Sequence, residues 1–245
     1  MLSKRIIPQV LCRGRQLIKG KQFRSWRSVG VAAQAMRIHQ MREVDELMLL
    51  DISATAEGRR PDLSLIEELS EECFVPLAVG GGIRTVEDAR AVLRAGADKV
   101  VVCTGNAPAI HQISEHFGKS TVVGVVDYDD EMALFESGTL GCIGLTAEKL
   151  APLWEPAGAG EILLQSVARE GTMAGYDLEM IRKISRAVKV PVIASGGCSS
   201  YEDMESAINA GADAVAVGAL FQFTDSTPRG AAEYLRGAGV KVRMV

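Results

Sequence analysis

Short apolar runs recur along the chain, each bounded by polar or glycine-containing segments. They are Arg5–Val10, Glu46–Leu50, Pro76–Val79, Lys99–Val102, Thr121–Val126, Glu161–Leu164, Pro191–Ala194 and Ala214–Val217. Most are unbroken hydrophobic stretches, the pattern of parallel strands buried on both faces. Between them the apolar positions shift to helical spacing, as in Thr85–Ala95, Asp177–Ala187 and Ser200–Ala210, with Thr85, Asp177 and Ser200 placed as N-caps. Eight strand–helix units at this spacing predict right-handed βαβ connections.

A doubly wound sheet and a closed barrel would both give that alternation, and an internal repeat separates them. At an offset of 115 residues, Val75-Pro76 recurs as Val190-Pro191, Gly81-Gly82 as Gly196-Gly197 and Glu87-Asp88 as Glu202-Asp203. Ala95-Gly96-Ala97-Asp98 likewise recurs as Ala210-Gly211-Ala212-Asp213, and 12 of the 28 positions from 75 to 102 match. The same offset pairs Glu46 with Glu161 and Asp62 with Asp177. Four duplicated units close into a single (βα)8 TIM barrel with an internal half-barrel duplication, one domain over residues 1–245. Two insertions interrupt it. Residues 13–29, rich in Arg and Lys, predict a long loop between the first strand and its helix, and residues 128–145 predict a small hairpin after the fifth strand. Both fall on the catalytic face of a barrel, as lids or as tolerated insertions.

Composition adds exclusions. The 245 residues are 47% hydrophobic, enough for a full core, and the net charge of −4 with no basic block argues against a general nucleic-acid binder. The early basic residues (Lys4, Arg5, Arg13, Arg15, Lys19, Lys21, Arg24, Arg27) read as a solvated rim or as anion-binding groups. Cys12, Cys73, Cys103, Cys142 and Cys198 are widely spaced and read as free thiols in a reducing cytoplasm. His39, His111 and His116 do not share metal-ligand spacing with any cysteine pair, so neither a metal nor another cofactor is expected. No apolar run approaches a membrane span, and Arg5, Gln9 and Arg13 interrupt the N-terminus, which predicts a soluble, cytoplasmic chain with no membrane contact.

Candidate chemistry collects at the C-terminal ends of the strands. Gly81-Gly82 and Gly196-Gly197 follow strands three and seven, and Thr104-Gly105 and Gly218-Ala219 follow strands four and eight. Glycine lets backbone N–H groups approach an anion, and the turns after strands seven and eight of a barrel are a recurrent phosphate site. Glycine also relieves crowding where a strand turns into a helix. Two repeat-related turns suit a ligand with a phosphate at each end.

These features resemble one family almost end to end, over about residues 3–243. Lys4-Arg5-Ile6-Ile7, Lys19-Gly20, Asp45-Glu46-Leu47, Leu50-Asp51-Ile52, Val79-Gly80-Gly81-Gly82-Ile83 and Gly160-Glu161-Ile162-Leu163-Leu164 look like the cyclase subunit of imidazole glycerol phosphate synthase, as do Gly175-Tyr176-Asp177 and Ile193-Ala194-Ser195-Gly196-Gly197. The resemblance implies a glutaminase partner docked on the N-terminal face. Ammonia would cross the barrel to a ribulosyl ribonucleotide, which two aspartates cyclise and cleave. One matches Asp127. The other position is Leu11, which cannot carry a proton, so cyclisation should lose much of the roughly 10²–10⁴-fold that acid–base catalysis supplies.

The resemblance also implies phosphate contacts at Gly81, Gly82, Thr104, Gly171, Gly196, Gly197, Gly218 and Ala219, an ammonia gate formed by Arg5, Glu46, Lys99 and Glu161, and a glutaminase contact at Asp98. Besides Leu11, other side chains depart from the family pattern: Cys103 for Asn, Glu170 for Asp, Ala219 for Ser, and Gly30-Val31-Ala32 for Gly-Asp-Pro before the first helix. This profile is similar to family paralogues that accompany sugar-amidation systems, which would supply ammonia to a separate amidotransferase acting on a nucleotide-linked sugar. The alternatives are an ordinary histidine-pathway cyclase and a non-catalytic barrel that kept its phosphate turns.

Overall fold

A computed structural model describes residues 3–42, 44–135 and 141–243. β1 (Arg5–Arg13) leads into a ribbon of β2 (Gln16–Lys21) and β3 (Arg24–Val31) and then α1 (Ala32–Gln40). The first half continues with β4 (Leu47–Asp51), α2 (Leu63–Ser70), β5 (Leu77–Gly80), α3 (Val86–Arg94), β6 (Lys99–Val102) and α4 (Ala107–Phe117). The second half begins with β7 (Val122–Asp129), β8 (Met132–Phe135), β9 (Gly141–Thr146), α5 (Ala147–Ala157) and β10 (Glu161–Ser166). It ends with α6 (Leu178–Ala187), β11 (Val192–Ser195), α7 (Tyr201–Asn209), β12 (Ala214–Val217), α8 (Ala219–Phe223) and α9 (Pro228–Gly237).

Eight strands pair in parallel in the order β1–β4–β5–β6–β7–β10–β11–β12, and β12 returns to β1 from Arg5↔Ala214 to Pro8↔Val217. Closure leaves none of these eight barrel strands at an edge, and the runs read from the sequence are these eight strands. Their inward residues form a separate core inside the barrel, including Ile7, Met48, Ala78, Val123, Ile193 and Ala214. Their outward residues pack under the helices.

The duplication is visible in individual hydrogen bonds. Asp62 and Asp177 cap α2 and α6, and Thr85 and Ser200 cap α3 and α7 through the N–H groups of Asp88 and Asp203. Ser70 and Ser185 each donate to a carbonyl of the following unit, Ala95 and Ala210. At both positions the glycine that follows, Gly96 or Gly211, lies so close to that serine that a Cβ would collide with it.

Two segments differ from expectation. Residues 13–29 are no open loop: β2 folds back on β1 through Cys12↔Leu17, and β3 pairs with β2 and runs straight into α1. The ribbon gives no period-two signal, because Leu17, Ile18 and Lys19 are buried in succession in β2 and β3 has no fully buried residue. The insertion after β7 does form a hairpin (Tyr128↔Ala133), extended by β9 through Met132↔Thr146. Residues 136–140 of that predicted segment, and the side chain of Cys142, lie outside the described residues. Cys12, Cys73, Cys103 and Cys198 are thiols, not disulfides. Among the described residues no helix is long and apolar enough to cross a membrane.

Candidate functional site

The C-terminal mouth holds a chamber bounded by Leu11 on β1, Leu50 on β4, Val101 on β6, Asp127 on β7 and Leu163 on β10. Leu11 and Asp127 therefore share one chamber. Cys12, one residue on, faces outward into a different crevice beneath α2, as strand alternation requires. Burial pushes its thiol well above the usual range.

Asp127 is 2% exposed, and its Oδ2 accepts from the Thr104 hydroxyl at 3.1 Å. The same hydroxyl accepts the Asp127 N–H at 2.8 Å. The Val125 carbonyl lies 3.2 Å from that hydroxyl as well, so Thr104 sits between two neighbouring residues of β7. Asp51, also on the cavity wall, is gripped by Arg59 at 2.7 Å and by the N–H groups of Ser53 and Ala54. Both carboxylate oxygens thus have partners within the chain.

Beginning beside Asp127, where Gln165 on β10 is its register partner, runs a buried polar chain that no single sequence motif announced. Ser195 donates to Gln9 at 2.7 Å, Gln9 leans on Gln165 at 3.5 Å, and Gln165 donates to Glu170 at 2.9 Å. Burial pushes the Glu170 carboxyl up, against the pull of Lys19 and the bond from Gln165. Burial lowers Lys19 to about 8, opposed by Glu170. Each charge thus offsets only part of the burial that opposes the other.

The β2–β3 ribbon roofs the chamber with Phe23 and Trp26, whose rings lie 6.1 Å apart. Its tip docks on the segment after β10: Gln22 N–H donates to Glu170 O at 2.9 Å, and Gln22 Nε2 to Ala168 O at 2.8 Å. Gln22, Phe23 and Ser25 all have φ near +50° (52°, 57° and 54°), so the tight tip is bought with backbone strain.

The two glycine turns are both at the mouth but are not alike. Gly171, Gly196, Gly197, Gly218 and Ala219 line one small crevice, which shares Gln9 and Glu170 with the main chamber. On the other side, the Gly82 N–H donates to Thr55 Oγ1 at 3.0 Å, and Gly81 opens on the main chamber.

At the opposite end, four charges close the barrel floor. Arg5 reaches Glu46 at 2.6 Å and Glu161 at 3.0 Å, and Lys99 reaches Glu46 at 2.9 Å and Glu161 at 3.0 Å. Every member has two partners of opposite sign. Asp98 is exposed, and its Oδ2 accepts the Leu77 N–H at 2.9 Å. Its repeat mate Asp213 does the same for Val192, so this aspartate has a structural task in both halves. Among the described residues no cluster of three His, Cys, Asp or Glu could hold a metal ion.

The model of the histidine biosynthesis protein family matches residues 5–227. The chain belongs to that family. A Campylobacter jejuni protein provisionally named imidazole glycerol phosphate synthase subunit hisF2 is 39% identical over 251 residues, covering all of both chains. The subunits HisF of Exiguobacterium sibiricum and Dictyoglomus thermophilum are each 38% identical, covering 99% and 100% of this chain and all of theirs. Sequence reading missed Gln9 and Gln165, which looked like ordinary strand residues. It also passed over Arg59, whose tie to Asp51 joins positions eight residues apart across a turn. The repeat held one usable signal, since its offset sets Glu170 opposite Thr55.

Proposed function

We propose that this HisF-family barrel pairs with a glutaminase on its N-terminal face and conducts ammonia toward a separate acceptor, a nucleotide-linked sugar, with its own cyclase chemistry impaired. The observation that carries this reading is Leu11 facing the same chamber as Asp127. Cyclisation with cleavage needs a second group to move protons, and an isobutyl side chain moves none. Neutral ammonia crosses an apolar interior far more cheaply than ammonium, and the core between floor and chamber is apolar (Ile7, Met48, Val123, Ile193). In this reading Arg5, Glu46, Lys99 and Glu161 are the gate. Asp98, at the floor, faces the glutaminase, and the glycine turns take a phosphorylated ligand.

A second reading, an active cyclase of histidine biosynthesis, is favoured by the names of the full-length relatives and by the retained Asp127. One assay separates them: ammonia-dependent turnover of the ribulosyl ribonucleotide by the natural chain and by Leu11→Asp. The proposal expects no turnover in the first and partial recovery in the second. Robust turnover by the natural chain would make it a cyclase.

A further inference from the structure

Val31, Ala35, Ile38 and Arg42 recur at steps of four, three and four residues, and His39 falls four after Ala35, so one side of α1 carries all five. That side forms a wall of a groove of about 340 Å³, completed by Leu17 of the β2–β3 ribbon and by Phe221 of α8. The size is that of a small-molecule site. None of the residues lining the groove borders the strand-end chamber or the glycine crevice. Its rim leaves Val31, Ile38 and the neighbouring Phe223 exposed, an apolar surface that nothing in the chain covers.

Two polar groups on this wall lack partners. His39 is buried beside the Phe221 ring, with centroids 6.1 Å apart, and its Nδ1 is sealed off without a hydrogen bond among the described residues. A neutral imidazole has one N–H and one bare nitrogen, and the proton favours the nitrogen that can meet an acceptor. Nδ1 has none, which makes Nε2 the donor. Burial, with Arg42 and Lys19 nearby, holds the ring neutral down to about 4, so it offers a hydrogen bond rather than a second charge. Arg42, three residues on, makes no ion pair among the described residues. Arg37, elsewhere on α1, shows the contrast, since Glu68 holds it at 3.0 Å. Arg27 of the ribbon stands over the Phe223 ring at 5.6 Å and adds positive charge near the rim.

We propose that this groove is a second ligand site, separate from the mouth, and that it takes a small monocarboxylate with an apolar body. The carboxylate, which only accepts, meets two donors, the Arg42 guanidinium and the His39 N–H. The apolar body lies against Leu17, Ile38 and Phe221 and covers surface that is otherwise wet. One arginine beside a neutral imidazole balances a single negative charge. A ligand in this place touches both α1 and the ribbon whose Phe23 and Trp26 roof the chamber. The inference rests on neither the ammonia path nor the cyclase chemistry.

NMR on the nitrogen-15-labelled full chain tests it, with 3-phenylpropionate as the probe. The amide 3-phenylpropanamide controls for the charge, and propionate controls for the apolar body. The expected result is a saturable shift of the His39 ring signals with one acid per chain, bound at least about fivefold more tightly than either control. Arg42→Gln should weaken the acid by a similar factor. Ile38→Glu should do the same, because its carboxylate, one turn before Arg42, would occupy the guanidinium. His39→Phe keeps a ring in place and removes the donor, and should weaken the acid too. The two variants at the groove rim serve where that buried one does not fold. No His39 shift at about 10 mM acid, a control that binds as well as the acid, a folded Arg42→Gln that binds like the natural chain, or shifts confined to Trp26 and the chamber would overturn the proposal.

Discussion

His39 on α1 is 5% exposed, and its Nδ1 meets no hydrogen-bond partner among the described residues. Burial lowers its pKa to about 4, helped by the charges of Arg42 and Lys19. An unfolded histidine titrates near 6.5, so between about pH 6.5 and 4 the unfolded chain binds the extra proton. Stability from this residue is therefore fully present above about 6.5 and is lost as the pH falls toward 4, by roughly 3 kcal/mol at most. Urea denaturation of the natural chain and of His39→Leu across that range should show the leucine variant losing less. Parallel losses would mean that other groups carry the acid sensitivity.

At the scale of elements, the ribbon β2–β3 is held to the segment after β10 by few contacts, and Gly171 is central to them. Its φ is +68°, and a Cβ there would come 2.0 Å from Gly20 O, so no small adjustment of a side chain relieves the clash. Gly171→Ala should undock the ribbon tip, speeding proteolysis between Lys19 and Arg27, while costing the barrel only about 1–2 kcal/mol. Unchanged cleavage would show that the tip is held elsewhere. The eight barrel strands and their helix caps were legible because each obeys a local rule: apolar runs for buried parallel strands, and Ser, Thr or Asp where a helix begins. The ribbon was not legible, because neither of its faces is wholly buried and its φ > 0 tip uses Gln22, Phe23 and Ser25 rather than glycine. In the site, the glycines could be read, since backbone approach demands them. The difference between the two turns could not, because it lies in where Thr55, Thr104 and Glu170 spend their hydrogen bonds.

At the scale of the molecule, the closed floor and the altered mouth lie at opposite ends of one apolar core. Breaking an isolated buried ion pair strands a charge and costs about 3–5 kcal/mol. Here Glu46 is 2% exposed but has both Arg5 and Lys99, and Glu161 has both as well. Arg5→Ala therefore leaves each carboxylate one cation and should cost nearer 1–3 kcal/mol, whereas Arg5→Ala with Lys99→Ala should cost more than the two singles added. If the floor is also the ammonia gate, the folded Arg5→Ala chain with its glutaminase and acceptor enzyme should make less aminated product per glutamine hydrolysed. Added ammonium should restore the product, because it bypasses the floor. A product-to-glutamine ratio equal to that of the natural chain, alongside the expected loss of stability, would make the four charges a clasp that holds β1, β4, β6 and β10 together and nothing more.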